Sequence, residues 1–335
     1  MPEQKSQVSA MTALGVLFTL IAVVALVALV MLKSKADTAT ETANVGNDAP
    51  AVVSISAIDL DGAGTEILSG TLTPVEGDIN YVIVSGVVSD PNGCEDIDWI
   101  HGVAYRSGVT SACASDNNNC STFSQTLEVM KANSPTNPCT GAGDTDISYS
   151  VRLPFYNFVD PTDAGTAGKA NDYADQEWVI ELNVTDNATL TDTVTPIFEV
   201  ASLAAFSTAA SINYGTVALG ADSSEQTVTF ENTGNMYVDS TVAASGNMTE
   251  PSGNYDVIPA GNVHYSLTQG FTYGTATATV ITPSTSDLVL QLPQQLVDAG
   301  PFTAPTVDSY WVLRMPSSGV NGTYSNTLTF TAQSY

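Results

Sequence analysis

The chain has 335 residues and a formal net charge of −27, with 35 Asp and Glu against 8 Lys and Arg. This length exceeds the roughly 100–200 residues of an ordinary domain, so we expect two domains. Hydrophobic residues make up 43% of the chain, which is enough to form buried cores and argues against general disorder. A surface this acidic repels phosphate backbones, and we therefore expect no nucleic-acid partner.

An uncharged apolar run over residues 10–32 follows a short N-terminal tail over residues 1–9. At about 1.5 Å per residue, a helix of this length crosses a hydrocarbon core of about 30 Å. We therefore expect a transmembrane helix that holds the protein in the lipid bilayer. A cleaved secretory signal is the weaker alternative, because the apolar run is too long for one. The small, polar residues 33–49 predict a flexible stalk.

Two signals disagree about which side of the membrane the body occupies. Lys33 and Lys35 follow the apolar run and Lys5 precedes it, a bias that favours a cytoplasmic body. Four clustered cysteines point the other way, because an even number in a loop-rich region predicts two disulfides, which persist in oxidising compartments. They are Cys94, Cys113, Cys120 and Cys139, and all three connectivities remain open. We expect a single-pass protein of the cell membrane with an extracellular body.

After the stalk, the chain shows short runs of alternating apolar and polar residues, separated by Gly, Pro, Asn and Asp. Trp178, Ile180, Leu182 and Val184 share one face of such a run, and similar alternation occurs near residues 228–230, 311–315 and 327–331. This pattern predicts an all-β fold with two tandem antiparallel β-sandwiches, at residues 50–200 and 201–335. Residues 105–150 predict a long polar loop in the first, pinned by disulfides.

Several segments carry a family resemblance. Residues 84–93, VSGVVSDPNG, resemble the second strand and turn of bacterial immunoglobulin-like and cadherin-like surface domains, and residues 178–188, WVIELNVTDNA, resemble their closing strand. Residues 212–217, 228–235 and 315–330 are similar to the opening and ending of another immunoglobulin-like type. The resemblance covers most of residues 50–335 and implies immunoglobulin-like sandwiches at a cell surface. Such modules imply no catalytic residues.

One acidic turn is a candidate calcium site. It offers the oxygen ligands of Asp90, Asn92, Glu95, Asp96 and Asp98 around Gly93. Ca²⁺ prefers six to eight hard oxygen ligands, and carboxylates at alternating positions around a turn can converge on one ion. The alternative is a solvated acidic turn in which Asp90 and Asn92 form turn hydrogen bonds.

Other chemistry has less support. The sequence has only two histidines and none of the common catalytic motifs, so we expect no enzyme. Glycosylation sequons begin at Asn183, Asn187, Asn247 and Asn321, but about as many are expected by chance. Trp99, Trp178 and Trp311 lie in strand-like runs, which favours core positions over a sugar-binding platform.

The sequence therefore predicts a membrane-anchored cell-surface protein with a structural or adhesive role, possessing no cofactor other than possible calcium. The main alternative is a subunit of an extracellular filament built from copies of the chain, because an N-terminal apolar helix ahead of a β-rich head is similar to type IV pilin-like proteins. The apolar helix lacks a Glu near its start, which departs from that pattern. A carbohydrate-binding surface module is the third possibility.

Overall fold

The structure, a computed structural model, describes most of the chain. The described residues are 15–23, 41–44, 46–61, 64–113, 118–133, 139–141, 143–165, 172–250, 257–295, 303–319 and 321–335. The chain divides into two compact units, Met1–Gly46 and Asn47–Tyr335.

In the N-terminal unit, residues 15–23 form helix α1. The predicted tail over residues 1–9 lies outside the described residues, as do residues 10–14 and 24–32 of the predicted membrane helix and residues 33–40 of the stalk. Within the described part of the chain, no helix has the length and apolar character needed to cross a bilayer. The transmembrane helix over residues 10–32 therefore stays a prediction.

Over its described residues, the second unit begins with ten strands and one short α-helix. They are β1 (Ala51–Asp59), β2 (Thr65–Glu66), β3 (Thr71–Leu72), β4 (Ile79–Ser89), β5 (Ile97–Arg106), β6 (Cys120–Thr126), α2 (Leu127–Asn133), β7 (Asp146–Tyr156), β8 (Trp178–Asp186), β9 (Thr191–Val194) and β10 (Ile197–Val200). One sheet has the order β2-β1-β4-β7, and the other has the order β3-β10-β8-β5-β6 with β9 also paired to β8. All these pairings are antiparallel except β3 with β10.

Ten further strands follow in the part of the unit after residue 200 that the structure describes. They are β11 (Phe206–Thr208), β12 (Gln226–Asn232), β13 (Val238–Ala244), β14 (Met248–Thr249), β15 (Val257–Ile258), β16 (Val263–Ser266), β17 (Thr279–Val280), β18 (Ser286–Leu292), β19 (Thr306–Leu313) and β20 (Leu328–Ser334). They form sheets with the orders β11-β12-β19-β16-β17 and β18-β13-β20, and β14 pairs with β15. The chain is therefore an all-β protein over most of its described length, as its alternating runs predict.

Each pair of sheets encloses its own apolar core, and we call the two pairs the first and the second sandwich. In the first, Phe155 of β7 lies with its ring 5.4 Å from that of Trp178 on β8, so side chains from the two sheets meet. In the second, Phe230 of β12 and Phe330 of β20 have ring centroids 5.3 Å apart. Trp178 and Trp311 are both buried, whereas Trp99 is half-buried. Strands that alternate in sequence thus place their apolar face inward.

The two groups of strands are joined by hydrogen bonds close to their boundary. The Gly77 N–H donates to the Thr233 carbonyl over 2.9 Å, and the Thr233 hydroxyl donates to Glu76 over 3.0 Å. Asn235 in turn donates to the Ala201 carbonyl over 2.9 Å. Residues Asn47–Tyr335 accordingly form one compact unit. The division into domains at residues 200 and 201 stays a prediction.

The region predicted as a long polar loop, residues 105–150, is more ordered than expected. It contains β6, α2 and the beginning of β7. Phe123, Met130 and Tyr149 are buried there, so a few single apolar side chains fix the segment on the first core. Phe123 and Met130 produce no periodic pattern, and the alternation of β7 begins only at Ile147, close to the end of this region, which is why the sequence predicts a loop.

A buried ion pair lies at one edge of the first core. Nε of Arg106 donates to Asp160 over 2.7 Å, and the amide of Asn118 donates to the other carboxylate oxygen over 2.7 Å. The Arg106 guanidinium also lies 3.8 Å from the centre of the Tyr173 ring. Because both charged side chains are almost fully buried, their pairing and hydrogen bonding are needed to offset the cost of removing the two charges from water.

Candidate functional site

Three aspartates, which we call the acidic cluster, meet at one end of the first sandwich. They are Asp90, which follows β4, Asp96, which ends a single 3-10 turn, and Asp186, the last residue of β8. One carboxylate oxygen of each lies within 4.8 Å of the other two. At an effective dielectric constant of about 20, two unit charges about 4 Å apart repel by roughly 4 kcal/mol. Such a cluster is therefore costly unless a proton or a cation offsets the charge.

The turn that carries Asp90 and Asp96 is built by its own backbone. Oδ1 of Asp90 accepts the Asn92 N–H over 2.7 Å, and the Asp90 carbonyl accepts the Gly93 N–H over 3.0 Å. Gly93 has φ 114°, a conformation that favours glycine, and the Asp96 N–H then donates to the Gly93 carbonyl over 2.9 Å. Cys94 lies inside this turn and forms a disulfide with Cys139, which fixes the turn covalently.

Strand register brings the third carboxylate to the same place. β5 and β8 pair so that Ile97 lies opposite Asp186, and Ile97 directly follows Asp96. Oδ1 of Asp186 accepts the N–H groups of Ala188 over 2.9 Å and Leu190 over 2.7 Å, which closes the turn after β8. The carboxylates of Asp90 and Asp186 are thus anchored by the backbone of their own turns, whereas the carboxylate of Asp96 accepts the side-chain amide of Asn187 over 3.3 Å.

The chain that enters β1 lies against the same turns. The amide of Asn47 donates to Oδ2 of Asp186 over 2.6 Å, and the Asp48 N–H donates to Oδ1 of Asn92 over 2.8 Å. Asp48 itself is exposed, but its charge acts on Asp90. A fourth carboxylate therefore stands next to the acidic cluster.

Asp90 is the unusual member of the acidic cluster. Its side chain is 0% exposed, and its Oδ2 is buried without a hydrogen-bond partner. Burial raises the pKa of Asp90; the hydrogen bond from Asn92 lowers it, and the charges of Asp96, Asp186 and Asp48 raise it further. Among the ion pairs of the described residues, none involves any of the three aspartates. Buried polar atoms are normally paired, so this oxygen requires an explanation.

The structure brings together only part of the ligand set predicted from the sequence. Asp90 and Asp96 are in the acidic cluster. Asn92 lies beside it, and its side-chain oxygen accepts a hydrogen bond from the Asp48 N–H.

Glu95 and Asp98 do not join the cluster. Glu95 is exposed, and its carboxylate lies 3.6 Å from the Lys131 ammonium of α2. Asp98 is exposed on β5 and does not belong to the group of converging carboxylates. The predicted ligand set fails at Glu95 because side chains do not alternate in the 3-10 turn, and at Asp98 because this residue lies on β5 with its side chain on the exposed face.

Asp186 is the member that the sequence argument missed. It stands at the end of the closing-strand segment, far from Asp90 in the chain. The signal was the pattern of short acidic turns directly after two strands, since turns at one end of a sandwich meet when their strands are neighbours. The pattern identifies Asp186 only once the pairing of β5 with β8 is known, and the sequence does not give that pairing.

The cysteines form two nested disulfides, Cys94–Cys139 and Cys113–Cys120, and none is free. This connectivity is one of the three that the sequence left open. The outer bridge stabilises the turn of the acidic cluster. The inner bridge closes a short loop before β6.

The four sequon asparagines differ in their surroundings. Asn183 is half-buried and donates to the Thr193 hydroxyl over 2.8 Å. Asn187 is exposed, and its amide lies 3.3 Å from Oδ1 of Asp96. Asn247 and Asn321 are exposed. Glycosylation at these positions stays a prediction.

The histidines and tryptophans show no common site. His101 lies half-buried on β5 with its ring 5.4 Å from that of Trp99, and His264 is buried on β16. Trp178 and Trp311 fill the two cores and so present no face to a sugar. Burial of both indoles weakens the aromatic-platform hypothesis.

No protein-family model and no curated protein matches this chain. Among solved structures, it is similar to the C-terminal domain of the Streptococcus pyogenes antigen I/II-family protein AspA, with 11% sequence identity and a TM-score of 0.23. The match covers 85% of this chain and 100% of that one. A TM-score this low places no constraint on the function of this chain.

Proposed function

We propose that the chain is a non-enzymatic cell-surface protein with a structural or adhesive role, which presents two immunoglobulin-like sandwiches outside the cell. The observation that carries the proposal is the pair of disulfides in the first sandwich. Cytoplasmic thiols are kept reduced, whereas disulfides persist outside the cytoplasm. The two facing, largely antiparallel sheets of each half support the immunoglobulin-like part of the proposal.

The experiment is performed on cells that express the full chain. Alkylation before and after reduction, followed by peptide mapping, is expected to recover the Cys94–Cys139 and Cys113–Cys120 peptides as disulfides. Externally added protease is expected to release fragments of residues 47–335 from intact cells. Free thiols at all four positions, or full protection from protease until lysis, would overturn the extracellular placement.

The apolar segment over residues 10–32 supports anchoring in the lipid bilayer, and its processing separates two versions of the proposal. A single-pass anchor retains residues 1–9 in the mature protein. A pilin-like filament subunit loses that leader and assembles with other copies through the helix. N-terminal sequencing of native material distinguishes them.

A carbohydrate-binding role is the remaining alternative, and it predicts that the protein is retained on a glycan array. If the protein binds no glycan on the array, the carbohydrate-binding alternative is wrong.

Calcium belongs to this proposal as a stabiliser of the first sandwich. The supporting observation is the buried, unpartnered Oδ2 of Asp90 among converging carboxylates. The full chain is expected to have a higher melting temperature in Ca²⁺ than in EDTA, because a ligand that binds only the folded state stabilises it.

A further inference from the structure

The acidic cluster has the donor set of a hard divalent cation site. All three ligand atoms are carboxylate oxygens, and neither His nor Cys belongs to the group. Zinc and copper sites generally include imidazole or thiolate ligands, whereas calcium is bound by oxygen alone. Mg²⁺ is usually held by one or two carboxylates and keeps several waters, so three converging carboxylates favour Ca²⁺.

A second, independent observation also indicates a ligand. Asp90 is fully buried, its Oδ2 has no hydrogen-bond partner, and the carboxylate converges on Asp96 and Asp186. Its Oδ1 is already occupied by the Asn92 N–H. The remaining oxygen is therefore free to bind a cation without breaking the turn.

The same cation would change the electrostatic environment of the chain that enters β1. Asp48 is exposed next to the acidic cluster, and the like charges repel it when no ion is bound. A divalent cation reverses this repulsion, because a carboxylate near it becomes a ligand. Hydrogen bonds from Asn47 to Asp186 and from Asp48 to Asn92 already hold this segment within reach.

We propose that one Ca²⁺ ion is bound by Asp90, Asp96 and Asp186 and takes Asp48 as a further ligand, which fastens the chain entering β1 to the end of the first sandwich. This inference rests on the calcium part of the proposed function. It makes the attachment of residues 47–50 to the rest of their unit dependent on the calcium concentration. The ion links three separate parts of the sequence: the entry to β1, the turn after β4 and the end of β8.

The first measurement is calcium binding by the full chain after EDTA treatment. Titration calorimetry is expected to show one Ca²⁺ per chain, with weaker binding of Mg²⁺, and saturating Ca²⁺ is expected to raise the melting temperature by about 5 °C. Asp90→Asn and Asp186→Asn are expected to lose this response. Asp98→Asn removes the same charge from an exposed neighbour outside the cluster and serves as the matched control, with a wild-type response.

The second measurement is hydrogen–deuterium exchange of the amides of residues 46–52. Ca²⁺ is expected to slow exchange of the Asp48 amide about tenfold in the wild type and in Asp98→Asn. Asp48→Asn removes the proposed fourth ligand without disturbing the other three, so it is expected to bind Ca²⁺ roughly tenfold more weakly and to lose the calcium-dependent protection. Asn retains the backbone N–H that bonds Asn92, which makes the comparison specific to the carboxylate.

The outcomes distinguish calcium binding from the fastening of the chain that enters β1. Absence of calcium binding in the wild type overturns both this inference and the calcium part of the proposed function, while the disulfide result still decides extracellular placement. Calcium binding with unchanged exchange at residues 46–52, or with Asp48→Asn equal to wild type, overturns the fastening alone. Loss of the response in Asp98→Asn would show that the ion binds elsewhere on the turn and would overturn the site.

Discussion

Asp90 and Asp186 lie at the ends of two strands in different sheets, Asp90 directly after its strand and Asp186 as the last residue of its own, yet one carboxylate oxygen of each lies within 4.8 Å of the other. Asp90 follows β4, in the sheet that contains β1 and β7, while Asp186 ends β8 in the opposite sheet. The two residues therefore span the sandwich at one end. A cation bound between them would hold the ends of both sheets together. For this reason we expect the charge state of the acidic cluster to affect the stability of the first sandwich.

The pH dependence of stability is expected to report the buried charge of Asp90. Its pKa in the folded chain is raised above the ordinary value of 3.8, chiefly by burial. A raised carboxyl pKa contributes stability that is present below the unfolded value and is lost as the pH rises through the folded value. In EDTA, the free energy of unfolding of Asp90→Asn should therefore exceed that of the wild type increasingly as the pH rises through this window.

Urea denaturation at a series of pH values in EDTA measures this difference, with Asp98→Asn as the control that removes an exposed charge. A difference between Asp90→Asn and wild type that is constant with pH would contradict the prediction. In saturating Ca²⁺ the order should reverse, because the ion stabilises the ionised wild type only.

The two disulfides are expected to differ in their contribution to stability. Cys94–Cys139 has a sequence separation of 45, whereas Cys113–Cys120 has a separation of 7. In the loop-entropy treatment, removal of the first costs about 4 kcal/mol and removal of the second about 2 kcal/mol. Urea denaturation of the two double Cys→Ala variants measures both values. Equal losses would show that strain or packing, and not loop closure, dominates.

Removing the aspartate of the buried ion pair is expected to reduce the stability of the fold far more than removing the aspartate of the exposed pair. Asp160→Ala leaves the buried Arg106 guanidinium without its carboxylate, which should destabilise the fold by about 3–5 kcal/mol. Asp222→Ala breaks the solvent-exposed contact with Arg314 and should change stability little, because water and salt screen such pairs. Chemical denaturation of both variants makes the comparison, and similar losses would argue against it.

Gly86 on β4 is expected to tolerate no side chain. A Cβ at this position would lie 2.0 Å from the Ser54 carbonyl oxygen of β1 and 2.8 Å from the Tyr149 hydroxyl. Because the first contact is with backbone, Gly86→Ala should push β1 away and destabilise the fold by about 3 kcal/mol. Gly141→Ala has nothing within 4 Å of its added Cβ and is the matched control. Thermal denaturation that shifts both variants equally would refute the clash.

The all-β class is predictable from the sequence because strand periodicity is local. The run beginning at Trp178 alternates, and the structure buries Trp178, Ile180, Leu182 and Val184 on one face of β8. Helix α2 is not predictable in this way, since it has only seven residues and buries the single Met130 in the core. Its order comes from tertiary packing.

The sequence predicts only the members of the candidate site that are close together in the chain. Asp90 and Asp96 are near each other in the sequence, and the Gly93 turn brings them together. Asp186 joins them only through the register of β5 with β8. The disulfide connectivity has the same origin, because Cys94 finds Cys139 through the fold of β6, α2 and β7 and not through spacing.

Nesting of the two disulfides also determines how the chain would respond to tension. A pull on the two ends of the protein passes from Cys94 directly to Cys139, so the 45-residue separation between them adds no length while that bond is intact. At about 3.4 Å per residue, roughly 150 Å of contour is withheld. The inner bridge lies entirely within the withheld segment and carries no load. Reduction of the outer bridge would therefore release most of this length in one step, and the inner bridge would still withhold its own separation of 7 residues until it is reduced in turn.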